Sequence, residues 1–242
     1  MISKGTIVSL MDLTQLGDTD TDADIIKLCK KARNSLGEVA AICVYKQFIQ
    51  TVKSSLGKDF KVATVINFPC GDAAIEDVLQ ETKDALSLGA DEIDLVIDYK
   101  EYISQGQSPR SCDLVAQVKK LCVGKPLKVI IESGELKQKV LIEKATIDAI
   151  ANGTDFVKTS TGKQAGATLE AAGIILNIMK SRGNKVGFKI SGGIKNYSQA
   201  VEYVQLADSI LSSNFIDPKT FRFGVSGLLD NLLNKEAGNN VY

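Results

Sequence analysis

The chain has 242 residues, 44% of them hydrophobic and 24% charged, with 29 basic side chains, 29 acidic side chains and no histidine. Balanced charge without a long basic run supports neither a nucleic-acid nor a membrane-surface partner. The missing imidazole excludes the Ser–His–Asp triad, the Cys–His pair and the imidazole-rich metal sites, so proton transfer falls to carboxylates, lysines, tyrosines, cysteines or water, and no metal is expected. Cys29, Cys43, Cys70, Cys112 and Cys122 are odd in number and form no CxxC, which points to reduced thiols. The opening MISKGTIVSLMDL lacks the apolar stretch of a signal peptide, and no segment approaches the roughly 18 apolar residues of a membrane-spanning helix, so a soluble, cytoplasmic protein is expected.

In chain order, short β-branched runs alternate with longer amphipathic ones. Strands are expected at TIVSLMDL from Thr6, VAAICVY from Val39, KVATVIN from Lys61, EIDLVID from Glu92, LKVIIES from Leu127, DFVKTST from Asp155 and VGFKISG from Val186, with a weaker eighth at DSILSS from Asp208. Between them lie helical patterns such as AIEDVLQETKDALSLGA, which Gly89 terminates. Eight strands alternating with helices predict a single-domain (β/α)8 TIM barrel over residues 1–242, with a mobile tail at 235–242. A doubly wound open sheet is the rival, weakened because no GxGxxG follows the first strand.

Side chains alternate between the two faces of a strand, so parity separates an outer from an inner set. In EIDLVID the outer set is Ile93, Leu95 and Ile97, leaving Asp94, Val96 and Asp98 inward. By the same rule Lys128, Ile130 and Glu132 face inward, as do Phe156, Lys158 and Ser160, and Gly187, Lys189 and Ser191. Barrel interiors are normally filled by branched apolar side chains, and a buried unpaired charge is costly. Four consecutive strands aiming Asp, Lys, Lys and Lys inward are either internal salt bridges or a polar active site in the barrel mouth. Lys158 and Lys189 on neighbouring strands suit the second reading. A second ammonium and desolvation both favour a neutral amine, which attacks carbonyls to form a Schiff base without metal or histidine.

Three glycine-bearing turns follow the last strands: STGK (Ser160, Thr161, Gly162, Lys163), SGGIK (Ser191, Gly192, Gly193, Ile194, Lys195) and FGVSG (Phe223 to Gly227, with Ser226). Phosphate groups in barrels sit on such loops, where glycines let backbone N–H groups approach the anion and lysines supply charge. Each turn alone is ordinary loop punctuation; three in succession favour a phosphate.

LMDLT, AAICVYKQF, DEIDLVIDYK, KVIIESGELK, DFVKTSTGK and VGFKISGGIK, in this order within a similarity that runs from about Ile7 to Tyr242, together resemble the deoxyribose-phosphate aldolase family. The resemblance implies reversible, cofactor-free cleavage of 2-deoxy-D-ribose 5-phosphate to D-glyceraldehyde 3-phosphate and acetaldehyde, in deoxyribonucleoside catabolism. Its partners would be a small phosphorylated sugar and short aldehydes, and the chain would form a homodimer. By match, Lys158 is the Schiff-base lysine, Lys189 depresses its pKa and assists proton transfer, and Asp94 works with a bound water as general acid/base. Asp12, Thr14, Cys43 and Lys128 would line the pocket, and Tyr242 on the C-terminal tail would help move the enamine proton.

The chain departs from the family pattern at four positions. Lys195 stands in GGIK where relatives have arginine, and Ser226 stands alone beside Gly227 where relatives have two adjacent serines. Ile190 follows Lys189, and Lys46 follows AICVY, where relatives commonly carry other residues. Lysine holds phosphate as a point charge but lacks the bidentate fork of arginine, so weaker phosphate affinity is expected. Two other readings are a Schiff-base aldolase with a ketone donor, such as a transaldolase, and a non-catalytic phosphosugar-binding barrel. Donor preference separates the first, and the retained Lys158, Lys189 and Asp94 argue against the second.

Overall fold

The computed structural model describes residues 2–183 and 185–237. Eight parallel strands close into a barrel: β1 (Met11–Thr14), β2 (Ala41–Val44), β3 (Val62–Ile66), β4 (Glu92–Val96), β5 (Leu127–Ile130), β6 (Phe156–Lys158), β7 (Gly187–Ser191) and β8 (Phe221–Val225). Strand β1 pairs with both β2 and β8, which closes the barrel without an open edge. A two-stranded hairpin, Arg33–Asn34 against Gly37–Glu38, stands apart from the barrel. Among the described residues no helix is long and apolar enough to cross a membrane.

The outer layer follows from helical periodicity. Helix Ile75–Ser87 buries Val78, Thr82 and Ala85, and Gly89 beyond it takes φ 95°, the left-handed ending its sequence promised. Helix Leu169–Ser181 buries Ala171, Ala172, Ile175, Leu176 and Met179. These faces join the outward residues Ile93, Leu95, Leu127, Val129, Val157, Phe188 and Ile190 in one apolar core. Burying each large apolar side chain contributes about 1.5–3 kcal/mol, so the main core lies between strands and helices and leaves the barrel axis open to polar groups.

Two expected strands fall elsewhere. Lys4–Ser9 is a helix capped by Ser3, whose hydroxyl accepts from the Thr6 N–H at 3.0 Å, and β1 begins only at Met11. The run from Asp208 is not a strand. It ends helix Tyr197–Leu211, whose buried Ala200, Tyr203, Val204 and Ala207 repeat every three or four residues and carry Ile210 and Leu211 along the same face. The eighth strand is Phe221–Val225, so the expected turn from Phe223 reduces to Ser226 and Gly227. Phe221 and Phe223 pack outward, edge to face, with centroids 5.1 Å apart. Arg222 between them points into the barrel, where its guanidinium meets Asp12 and Glu92.

Candidate active site

Parity aims the polar residues of six barrel strands at one another. In register, Lys158 is beside Lys189 and Lys189 beside Arg222, so three cations form one row across β6, β7 and β8. Asp94 on β4 is in register with Lys128 on β5. Gly224 makes room for this row: a Cβ there would collide with Ser191 Oγ and stand 3.0 Å from Lys189 Cε.

The ion pairs are buried and continuous. Lys128 Nζ lies 2.5 Å from Glu92, 2.9 Å from Asp94 and 3.5 Å from Asp12. Lys189 Nζ lies 2.5 Å from Asp12 and 2.7 Å from Asp94 Oδ2, and Arg222 meets Asp12 at 2.5 Å and Glu92 at 3.2 Å. Lys158 Nζ lies 2.8 Å from Asp94 Oδ2 and has no second carboxylate within ion-pair distance among the described residues. The network therefore joins four cationic side chains to three carboxylates. A buried surplus charge is expensive, and the least compensated cation, Lys158, gives up its proton at least cost.

Protonation follows the geometry. Burial, then repulsion from Lys189, draws the Lys158 pKa below the ordinary lysine value, against the pull of Asp94. Burial also opposes charge on Lys189, but Asp12 and Asp94 outweigh it and hold this ammonium above the ordinary range. Lys128 is likewise raised, because Asp94, Glu92 and Asp12 together overcome its burial. Burial works against the anionic form of Asp94, yet Lys128, Lys158 and Lys189 hold its carboxyl well below the usual range. The result is an amine drawn towards its neutral form between a carboxylate and a fixed ammonium, an arrangement that suits attack on a carbonyl carbon.

Above this floor opens a cavity of about 510 Å³, lined by Thr14, Thr161, Gly162, Lys163, Ser191, Gly192, Gly193, Lys195, Ser226 and Gly227 among others. It lies at the C-terminal ends of the strands, the face on which barrel sites are built. Gly192 and Gly193 take φ 82° and 90°, and a Cβ on Gly166 would come 2.7 Å from Gly192 O, so the loops after β6 and β7 meet backbone to backbone. Glu132, itself at φ 51°, is buried and accepts the Thr161 N–H at 3.1 Å, which ties the loop after β6 to the end of β5.

The expected residues divide by depth. Thr14, Thr161, Gly162, Lys163, Gly192, Gly193, Lys195 and Ser226 line the cavity, whereas Asp12, Cys43 and Lys128 are fully buried beneath it. Burial pushes the Cys43 thiol up, so it stays protonated. Lys163 is paired with Asp18 at 2.7 Å, while Lys195 is exposed. Asp98 does not face the barrel. It lies beyond the end of β4, caps helix Tyr99–Gln105 and pairs with Arg110 at 3.0 Å. Ser160 is buried, and its hydroxyl has no hydrogen-bond partner among the described residues. Helix Leu228–Ala237 runs into the expected tail, and Tyr242 lies outside the described residues. Sequence reasoning missed Arg222 and Glu92. Glu92 has the parity of Asp94, a usable signal; Arg222 was hidden by the misplaced eighth strand.

The DeoC/LacD family aldolase model matches residues 6–228. A deoxyribose-phosphate aldolase of Agrobacterium fabrum is 46% identical over 235 residues, covering 96% of this chain and 90% of the relative. A solved Toxoplasma gondii apo-form that carries a provisional deoxyribose-phosphate aldolase name has TM-score 0.86 and 26% identity, covering 98% of this chain and 95% of its own. The tetrameric deoxyribose phosphate aldolase of Aeropyrum pernix, at TM-score 0.77 and 24% identity over 99% of this chain and 94% of its own, shares the fold. Family match, relative and barrel agree: this chain belongs to the DeoC/LacD aldolase family.

Proposed function

We propose that the chain is a class I aldolase that reversibly cleaves 2-deoxy-D-ribose 5-phosphate to D-glyceraldehyde 3-phosphate and acetaldehyde, with Lys158 as the Schiff-base residue. One observation carries the reading: Lys158 is the least compensated cation of a buried network that holds one cation more than its carboxylates, and it ends the strand whose following loop, through Thr161 to Lys163, lines an open cavity. The identity to a named deoxyribose-phosphate aldolase supports the substrate.

Neutral Lys158 Nζ attacks the aldehyde carbon of the open-chain sugar. Lys189, held protonated, donates to the carbinolamine oxygen, which leaves as water and gives the iminium. Loss of the C3 hydroxyl proton breaks the C2–C3 bond, and the electron pair passes into the iminium as an enamine. Glyceraldehyde 3-phosphate departs, C2 is reprotonated, and water attacks the iminium to release acetaldehyde and regenerate the amine. Asp94 is held too acidic to be a resting donor. It suits a counter-ion that orients both lysines and, through water, takes up and returns protons during turnover.

The phosphate of this substrate is assigned to the backbone of Gly192 and Gly193 and to Ser226–Gly227, with Lys195 as the nearby cation; Lys163 is already committed to Asp18. Acetaldehyde release from 2-deoxy-D-ribose 5-phosphate tests the reading. Faster cleavage of ketone-donor aldols, or no release at any pH, contradicts it.

A further inference from the structure

Arg222 and Glu92 lie at the bottom of the network, away from the cavity, and neither touches Lys158. Both are buried, and they are 3.2 Å apart. Arg222 also meets Asp12, which meets Lys189, which shares Asp94 Oδ2 with Lys158. Glu92 reaches the other oxygen of the same carboxylate, Asp94 Oδ1, through Lys128. Every link in both chains is an ion pair of 3.2 Å or less.

We propose that Arg222 and Glu92 are positioning residues whose opposite charges set, through this chain of ion pairs, how readily Lys158 surrenders its proton. The inference rests on the reading of Lys158 as the amine that attacks carbonyls. The charged and titratable groups around that amine are Asp94 from β4, Lys189 from β7, the Cys43 thiol from β2 and, more remotely, Glu132 beyond β5. Around the floor pair stand Asp12 from β1 and Lys128 from β5.

The charge count gives the signs. Arg222→Met leaves three cations against three carboxylates, which removes the surplus and stabilises protonated Lys158. Glu92→Gln leaves four against two, which enlarges the surplus and favours the neutral amine. The double variant restores an excess of one. Lys158 and Arg222 are two strands apart in register, about 10 Å, and at an effective dielectric constant near 20 a charge at that distance shifts an amine by about one pH unit.

Reductive methylation with formaldehyde and cyanoborohydride across pH, read by peptide mass at Lys158, reports the protonation of that amine. The expected result is an apparent pKa about one unit higher in Arg222→Met and about one unit lower in Glu92→Gln. The double variant should match the wild type, and Arg222→Lys should show little shift. Structural damage would move both single variants in the same direction. Such common movement, or unshifted profiles in folded protein, overturns the proposal. If Arg222→Met does not fold, the acid shift of Glu92→Gln and its reversal in the double variant decide the matter. Methylation demands no aldol chemistry, so a wild type that fails to cleave 2-deoxy-D-ribose 5-phosphate defeats the functional reading without touching this result.

Discussion

Replacing Lys189 with methionine keeps most of the side-chain volume and removes the ammonium beside Lys158. In the native structure both lysines contact Asp94 Oδ2, at 2.8 and 2.7 Å, which puts their nitrogens about 5 Å apart. At an effective dielectric constant near 20, repulsion at that distance is about 3 kcal/mol, equivalent to roughly two pH units. The Lys158 amine should therefore titrate about two units higher in Lys189→Met, with about a hundredfold less neutral amine at pH 7. Asp94 keeps Lys128 and Lys158, and Asp12 keeps Arg222 and Lys128, so the fold should survive with a loss of no more than about 3 kcal/mol. Single-turnover imine formation with acetaldehyde, followed across pH, separates the two roles given to Lys189. The electrostatic role appears as an alkaline-shifted profile that partly recovers at high pH. The donor role appears as a lower plateau. A folded variant whose profile keeps the wild-type midpoint would refute the charge argument.

Three other outcomes follow from the same geometry. Gly224→Ala forces a methyl against Ser191 Oγ and towards Lys189 Cε, so it should cost about 1–3 kcal/mol in urea denaturation and lower kcat; wild-type values for both would show that β8 can move aside. Lys195→Arg should lower KM for the phosphorylated substrate by restoring a bidentate fork, with kcat little changed, and an unaltered KM would remove Lys195 from phosphate binding. Acid stability should report Asp12 and Asp94, whose folded values lie below the unfolded reference near 3.9. Their stabilisation is full above that reference and is lost as pH falls towards the lower folded values. The urea midpoint should thus drop steeply below about pH 4, with a slope reflecting uptake of both protons, and a flat acid limb would contradict the buried pairing.

How far the sequence reveals this site depends on the range of each signal. Strand parity placed Asp94, Lys128, Lys158 and Lys189 inside the barrel because alternation is local and the outer positions are plainly apolar. The same rule, extended by two residues, would have included Glu92; it failed for Asp98, where the strand had already ended and an N-cap took over. Arg222 was missed for a different reason. Ile210 and Leu211 made a helix end look like a strand, and Gly224 made a real strand look like a turn. Glycine there is demanded by Ser191 Oγ, with Lys189 Cε close behind it, on the neighbouring strand, a tertiary requirement without a local signature. The pairing of Lys163 with Asp18 joins residues 145 positions apart and is likewise invisible in the chain. Hence the inward position of Lys158 could be read from sequence, whereas the charge balance around it required the closed barrel.

The Schiff base on Lys158 is tested by incubating the protein with acetaldehyde, reducing with borohydride and locating the adduct by peptide mass. The expected result is a single reduced ethyl adduct on the peptide containing Lys158, lost in Lys158→Leu and retained in Lys163→Leu. An adduct on another lysine, or steady cleavage of 2-deoxy-D-ribose 5-phosphate with no trapped adduct, would contradict it.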